Sequence, residues 1–161
     1  MAEKFEIIQG TKEERYASLL SQLRAILAAE SDPIANMANM SACLKETFGF
    51  WWVGFYRVMG EELVLGPFQG PLACTRIPKG KGVCGTAWAE EKTVVVPDVD
   101  LFPGHIACSS ASRSEMVVPV FRNASDGSRQ VIAVLDIDSE KTANFDQVDQ
   151  KWLEAMVHLF V

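Results

Sequence analysis

A chain of 161 residues with 48% hydrophobic and 22% charged residues has the make-up of one globular domain and excludes a disordered segment. Its net charge of −6 excludes broad electrostatic capture of nucleic acid or of an anionic membrane, and no apolar run reaches the roughly 18 residues of a transmembrane helix. The opening, Met1 to Glu6, lacks the basic flank and apolar stretch of a secretory signal, so we expect one cytoplasmic domain over 1–161 with its thiols reduced.

Residues 12–29 predict an amphipathic helix, because Tyr16, Leu19, Leu20, Leu23, Ile26 and Leu27 recur at the 3.6 period. A second helix is expected from Asp32-Pro33, a cap followed by proline at the first helical position, to Gly49. Cys43 falls on its apolar stripe and reads as a buried small hydrophobe. The aromatic, β-branched segment Phe50–Val58 predicts a strand, joined through Met59–Glu62 to a second strand over Leu63–Phe68. A short helix is expected over about 83–90, then an apolar run at 93–96. Two further strands, Glu115–Phe121 and Val131–Asp138, flank a turn rich in Asn, Asp, Ser and Gly. A final helix is expected from Phe145 to Val161. Helices at both ends of hairpin-connected strands give the α+β class.

Chemistry concentrates between residues 74 and 138. Cys74, Cys84 and Cys108 lie in turn-rich sequence, where metal binding, catalysis and plain packing are all open. A zinc set of Cys74, Cys84, His105 and Cys108 is chemically possible, but the close Cys pairs that usually announce such a site are absent. Gly80-Lys-Gly82-Val-Cys-Gly85 has the letters of a dinucleotide fingerprint in the wrong setting, since Pro78 interrupts any strand leading in. A glycine loop opening a helix still presents free N–H groups. With Lys79 and Lys81 nearby, it is expected to favour the thiolate of Cys84.

Asp136 and Asp138, two apart on one strand, project to the same face, and Glu115 opens the neighbouring strand. Carboxylates gathered in this way repel, so at least one is expected to hold a proton near neutral pH. Such a group suits gripping an ammonium or donating a proton to an oxygen; the plainer alternative is strand-end acids facing solvent. Trp51 and Trp52 are expected on opposite faces of their strand, with Tyr56 beside Trp52 as an aromatic wall or as ordinary core.

Trp51–Tyr56, Gly66–Pro71 with Ala73-Cys74, Gly82–Gly85, Pro103–Cys108, Ser114-Glu115 and Val134–Ser139 resemble, in order, the signatures of the free methionine-(R)-sulfoxide reductases. The resemblance implies a GAF-like fold: a central antiparallel sheet of about six strands, helices on one side and a loop-covered ligand pocket on the other. It implies reduction of the R epimer of free methionine sulfoxide, with Cys108 as nucleophile, Cys84 as main resolving cysteine and Cys74 as a second partner. The intermediate is a cysteine sulfenic acid and then an intramolecular disulfide. No bound cofactor is implied, since electrons come from thioredoxin and ultimately NADPH, as part of the response to oxidative stress. Glu115, Asp136 and Asp138 are expected to share proton donation and ammonium binding. Trp52 and Tyr56 are expected to wall in the S-methyl end, and backbone N–H groups near Ile106, Ala107 and Cys108 to take the carboxylate. Family members often pair as dimers. Ser109 stands where many members carry Asp, and the 122–130 loop is longer than in many. A GAF-type small-ligand sensor is the alternative reading.

Overall fold

The computed structural model describes residues 4–108 and 110–160. Ser109, the departure from the family pattern, and Val161, the expected end of the last helix, lie outside the described residues. Helix α1 spans Lys12–Ala28 and α2 spans Pro33–Phe48. The Thr11 and Asp32 side chains accept from the first free N–H groups of these two helices. Gly49, at φ 66°, ends α2 in the left-handed conformation that glycine tolerates best. Strands β1 (Trp52–Met59) and β2 (Glu62–Gln69) form the expected hairpin. A three-residue strand β3 (Arg76–Pro78), too short to leave a periodic signal, precedes α3 (Gly82–Glu90). Then follow β4 (Val94–Val96), β5 (Ser114–Asn123), β6 (Arg129–Ser139) and α4 (Gln147–Val157), with one-turn 3-10 helices at Val99–Leu101 and His158–Phe160.

The six strands make one antiparallel sheet in the order β3-β2-β1-β6-β5-β4. Alternation along the strands separates two apolar cores. Val53, Phe55, Met116, Val118, Leu135 and Ile137 meet the inner faces of α1, α2 and α4, including Leu23, Met40 and Leu153. Full burial of each such side chain contributes about 1.5–3 kcal/mol. Cys43 belongs to this core, as its place on the helical stripe implied, and burial pushes its thiol up to about 11. On the other face, Trp52, Tyr56, Val117 and Val134 pack with Val83, Cys84, Ala87 and Trp88 of α3. Three long helices thus cover one face and the short α3 the other.

A buried polar contact ties the two ends of the chain. Asp149 of α4 accepts from the Tyr16 hydroxyl at 2.7 Å and from Lys12 Nζ at 2.8 Å, and also completes the capping box with Asp146. Among the described residues no helix is long and apolar enough to cross a membrane.

Candidate active site

The pocket lies on the α3 face, and strand register sets its floor. Trp52 is opposite Asp138 across β1 and β6, Asp138 is opposite Glu115 across β6 and β5, and Asp136 follows one pleat away. All four side chains leave the same face of the sheet. Tyr56, two pleats from Trp52, stacks on it with ring centroids 5.9 Å apart, and Phe68 stacks on the other side at 5.2 Å. Trp52 and Tyr56 therefore form the expected wall. Trp51 lines the same cavity rather than the opposite face, because it precedes the first paired residue of β1 and escapes the strand alternation that its neighbour obeys.

The roof is the segment between β4 and β5. The Val99 amide donates to Arg113 O at 2.9 Å, and the Arg113 amide donates to Ser139 O at 2.7 Å, which pins both ends of the segment to the sheet. His105, Ile106 and Cys108 look into the cavity from this roof, while Ala107 is exposed and lines none of it. The Cys108 amide donates to Ile106 O at 3.1 Å, which leaves the Ile106 amide, of the three expected, as the candidate for an anionic group.

Cys108 is disulfide-bonded to Cys74, 34 residues earlier, and Cys84 is a free buried thiol. The partner of Cys108 is thus the cysteine expected to be second, and the cysteine expected to be the main one stands apart from the bond. Two hydrogen bonds hold the β2–β3 loop that carries Cys74 against the wall: Trp52 Nε1 donates to Pro71 O at 3.1 Å, and the Tyr56 hydroxyl donates to Cys74 O at 2.9 Å. The aromatic wall positions one half of the disulfide as well as lining the pocket.

The expected thiolate character of Cys84 is overturned. Its side chain lies in the first turn of α3 but is only 3% exposed. Burial, followed by the charges of Asp136 and Glu115, pushes its thiol well above the ordinary value. Lys79 and Lys81 are exposed, and Lys79 Nζ sits over the Trp88 ring at 4.9 Å. A helix N-terminus contributes about 0.3–1 kcal/mol at the surface, too little against desolvation beside two acids.

The glycines of this stretch also have a packing role. A Cβ on Gly85 would lie 2.6 Å from Pro78 O and 3.1 Å from Gly80 N. One on Gly82, where φ is +60°, would meet Ile106 at 3.1 Å. The fingerprint letters arise because α3 packs directly on the backbone leaving β3 and under the roof. Cys84 is thereby set against the floor acids: its Sγ donates to Glu115 Oε1 at 4.0 Å.

The acids carry the electrostatics of the site. Glu115 and Asp136 are each 6% exposed, and Asp138 is partly buried. Burial, then the charge of Asp138, pushes Glu115 up to about 8. Burial and the Glu115 charge raise Asp136 well above the carboxylate range, and burial and the Asp136 charge do the same for Asp138. The floor therefore holds protons at neutral pH, as repulsion among these acids implied. Two polar neighbours were not singled out for it from the sequence. The Ser112 hydroxyl donates to Asp138 at 2.6 Å, and His105 Nε2 lies 3.5 Å from Glu115 Oε2. In the sequence His105 points only to a zinc set. Ser112 stands in a run of small polar residues that offers no pattern to find it by. Burial lowers the His105 value, which disfavours the charged ring, so its approach to Glu115 is not a strong ion pair.

Comparison with known proteins bears on the family and the fold. The GAF domain model matches residues 40–160. GAF domain-containing protein A of Dictyostelium discoideum is 56% identical over 160 residues, which is 99% of this chain and 98% of that one. The free methionine-R-sulfoxide reductase of Escherichia coli is 46% identical over 148 residues, covering 91% of this chain and 86% of the enzyme. The X-ray structure of free methionine-R-sulfoxide reductase from Neisseria meningitidis in complex with its substrate superposes with a TM-score of 0.91 at 52% identity. That match covers 98% of this chain and 92% of that one.

Proposed function

The chain belongs to the GAF-domain family, on the branch of the free methionine-R-sulfoxide reductases, and on that footing we infer that it reduces free methionine (R)-sulfoxide to methionine with Cys108 as nucleophile. One observation carries the reading: Cys108 lines a cavity whose floor is Glu115, Asp136 and Asp138 and whose wall is the Trp52–Tyr56 stack. An apolar slot beside acid protons and a thiol fits a substrate whose S–O bond must be broken with proton help.

In the first step the Cys108 sulfur attacks the sulfoxide sulfur while Glu115, Asp136 and Asp138 supply a proton to the oxygen. Two electrons pass from the cysteine sulfur to the substrate sulfur, the S–O bond of the sulfoxide breaks, and the oxygen ends on Cys108 as sulfenic acid. The Cys74 thiol then condenses with that sulfenic acid, forming the S–S bond and releasing water. Thioredoxin returns both thiols by exchange through a mixed disulfide, drawing ultimately on NADPH, with no bound cofactor. A substrate ammonium favours ionisation of one floor carboxyl, and the others keep a proton for the oxygen. Trp52 and Tyr56 bound the S-methyl end, and the Ile106 amide takes the substrate carboxylate. Peptide bonds would leave those charged partners unpaired, which restricts the enzyme to the free amino acid. A cytoplasmic location suits a cycle that depends on reduced thiols, and we expect two copies to pair, which light scattering reads directly.

The experiment is thioredoxin-coupled NADPH oxidation with free L-methionine-(R)-sulfoxide, beside the S epimer and a blocked, peptide-like R-sulfoxide. Turnover confined to the free R epimer is the expected result. No turnover with any of the three, from protein with reduced thiols, would favour a small-ligand sensor instead.

A further inference from the structure

The catalytic cycle above leaves Cys84 without a task, although it is held on the pocket floor by α3. We propose that Cys84, Glu115 and Asp136, with His105 beside them, form a binding site for a zinc-class divalent ion. One ligand atom from each of the first three residues lies within 4.8 Å of the other two. Tetrahedral zinc, with Zn–S about 2.3 Å and Zn–O about 2.1 Å, sets such atoms roughly 3.6 Å apart. Small side-chain rotations therefore close the set. A second observation points the same way: Asp136 Oδ1 is buried and meets no hydrogen-bond donor among the described residues. A buried acid oxygen that meets no donor is costly, and an ion that displaces the protons of this floor would satisfy it.

The chemistry of the donors selects the ion. A thiolate with two carboxylates suits zinc and its neighbours, whereas magnesium and calcium take oxygen alone. His105 Nε2, 3.5 Å from Glu115 Oε2, lies beside this set rather than within it, so the fourth position is open to a water. The cavity, about 50 Å³, exceeds the roughly 10–15 Å³ that one water-sized sphere occupies. Binding expels the thiol proton and the carboxyl protons to solvent. It leaves three negative ligands around a double positive charge, so a site of like charges becomes a nearly balanced one. Because Glu115 and Asp136 are also the acids assigned to the substrate, an ion held here competes with it. The site would make the enzyme sensitive to free zinc.

The test uses the full chain in its Cys74–Cys108 disulfide form, where no turnover occurs and the two free thiols, Cys43 and Cys84, lie on opposite faces of the sheet. It is therefore independent of the reductase reading. Titration with cobalt(II) chloride is expected to raise a thiolate-to-cobalt charge-transfer band that saturates at one equivalent and is abolished by zinc chloride. The band is expected to disappear in Cys84→Ser and to persist in Cys43→Ser. Loss of even an outer partner of a metal ligand weakens binding about 10–100-fold, so Asp136→Asn is expected to weaken cobalt by at least that factor. No band in the parent protein, or a band that survives Cys84→Ser, overturns the site. Should Cys84→Ser fail to fold, Asp136→Asn with an unchanged thermal midpoint and unchanged cobalt affinity overturns it equally.

Discussion

Glu115 on β5 and Asp138 on β6 are direct cross-strand partners whose side chains share the pocket face. Two acids in that relationship, with Asp136 one pleat away and Cys84 and His105 facing them from α3 and the roof, cannot all ionise at neutral pH. In the proposed reaction the pair, rather than either acid alone, acts as the proton source.

The pH dependence follows with a definite sign. Glu115 is held up to about 8 in the fold against an ordinary 4.5. The fold thus binds a proton that the unfolded chain has released across that range, and stability falls as pH rises through it. Thermal unfolding between pH 5 and 8 is expected to show a declining midpoint in the parent and a shallower decline in Glu115→Gln. In the same window the single-turnover rate of the parent is expected to fall as pH rises toward and past 8, because the proton donor is lost.

The cysteines separate by number of turnovers. Cys108→Ser is expected to release no methionine even in a single turnover. Cys74→Ser is expected to release one equivalent and then stop, because the thiol that bonds to Cys108 in the structure is gone. Cys84→Ser keeps the Cys74–Cys108 linkage, seen by non-reducing peptide mapping. A full equivalent from Cys108→Ser would disprove the nucleophile assignment.

Tyr56→Phe keeps the ring on Trp52 and removes only the hydroxyl that donates to Cys74 O at 2.9 Å. We expect a loss of about 0.5–1.5 kcal/mol in denaturant unfolding. Slower closure of the disulfide after the first turnover is expected with it, followed by thiol trapping.

Gly85→Ala forces a methyl against the Pro78 carbonyl at 2.6 Å, where the neighbour is backbone and cannot rotate away. Overpacking of this kind costs about 1–3 kcal/mol, and the shift of α3 would carry Cys84 off the floor. A lowered unfolding midpoint in denaturant checks the first part. Faster alkylation of Cys84 in the folded variant checks the second.

Asp149→Ala removes the acceptor shared by Tyr16 and Lys12. Lys12 is partly exposed and regains water, whereas the buried Tyr16 hydroxyl is left unpaired. The expected cost is about 1–3 kcal/mol, measured by denaturant unfolding, with the pocket chemistry unchanged.

Local rules acting on the sequence determined the helices, because a cap, a proline at the first turn and an apolar stripe each act within a few residues: Asp32-Pro33 and the Tyr16–Leu27 stripe fall where they were expected. They also determined that Asp136 and Asp138 share a face, since a strand alternates whatever lies beside it, and that crowded acids there would hold protons. The ordered motifs through Cys108 and Glu115 pointed to the family. Only the tertiary structure decided the environment of Cys84. Its neighbours in sequence, Lys79, Lys81 and a helix start, favour a thiolate, but its neighbours in space are Glu115 and Asp136, and desolvation beside two acids outweighs a helix end. The same holds for the pairing of Cys108 with Cys74 and for the arrival of Ser112 and His105 at the acids. Those contacts join residues brought together by strand register and loop path, and neither is written in the spacing of the residues that meet.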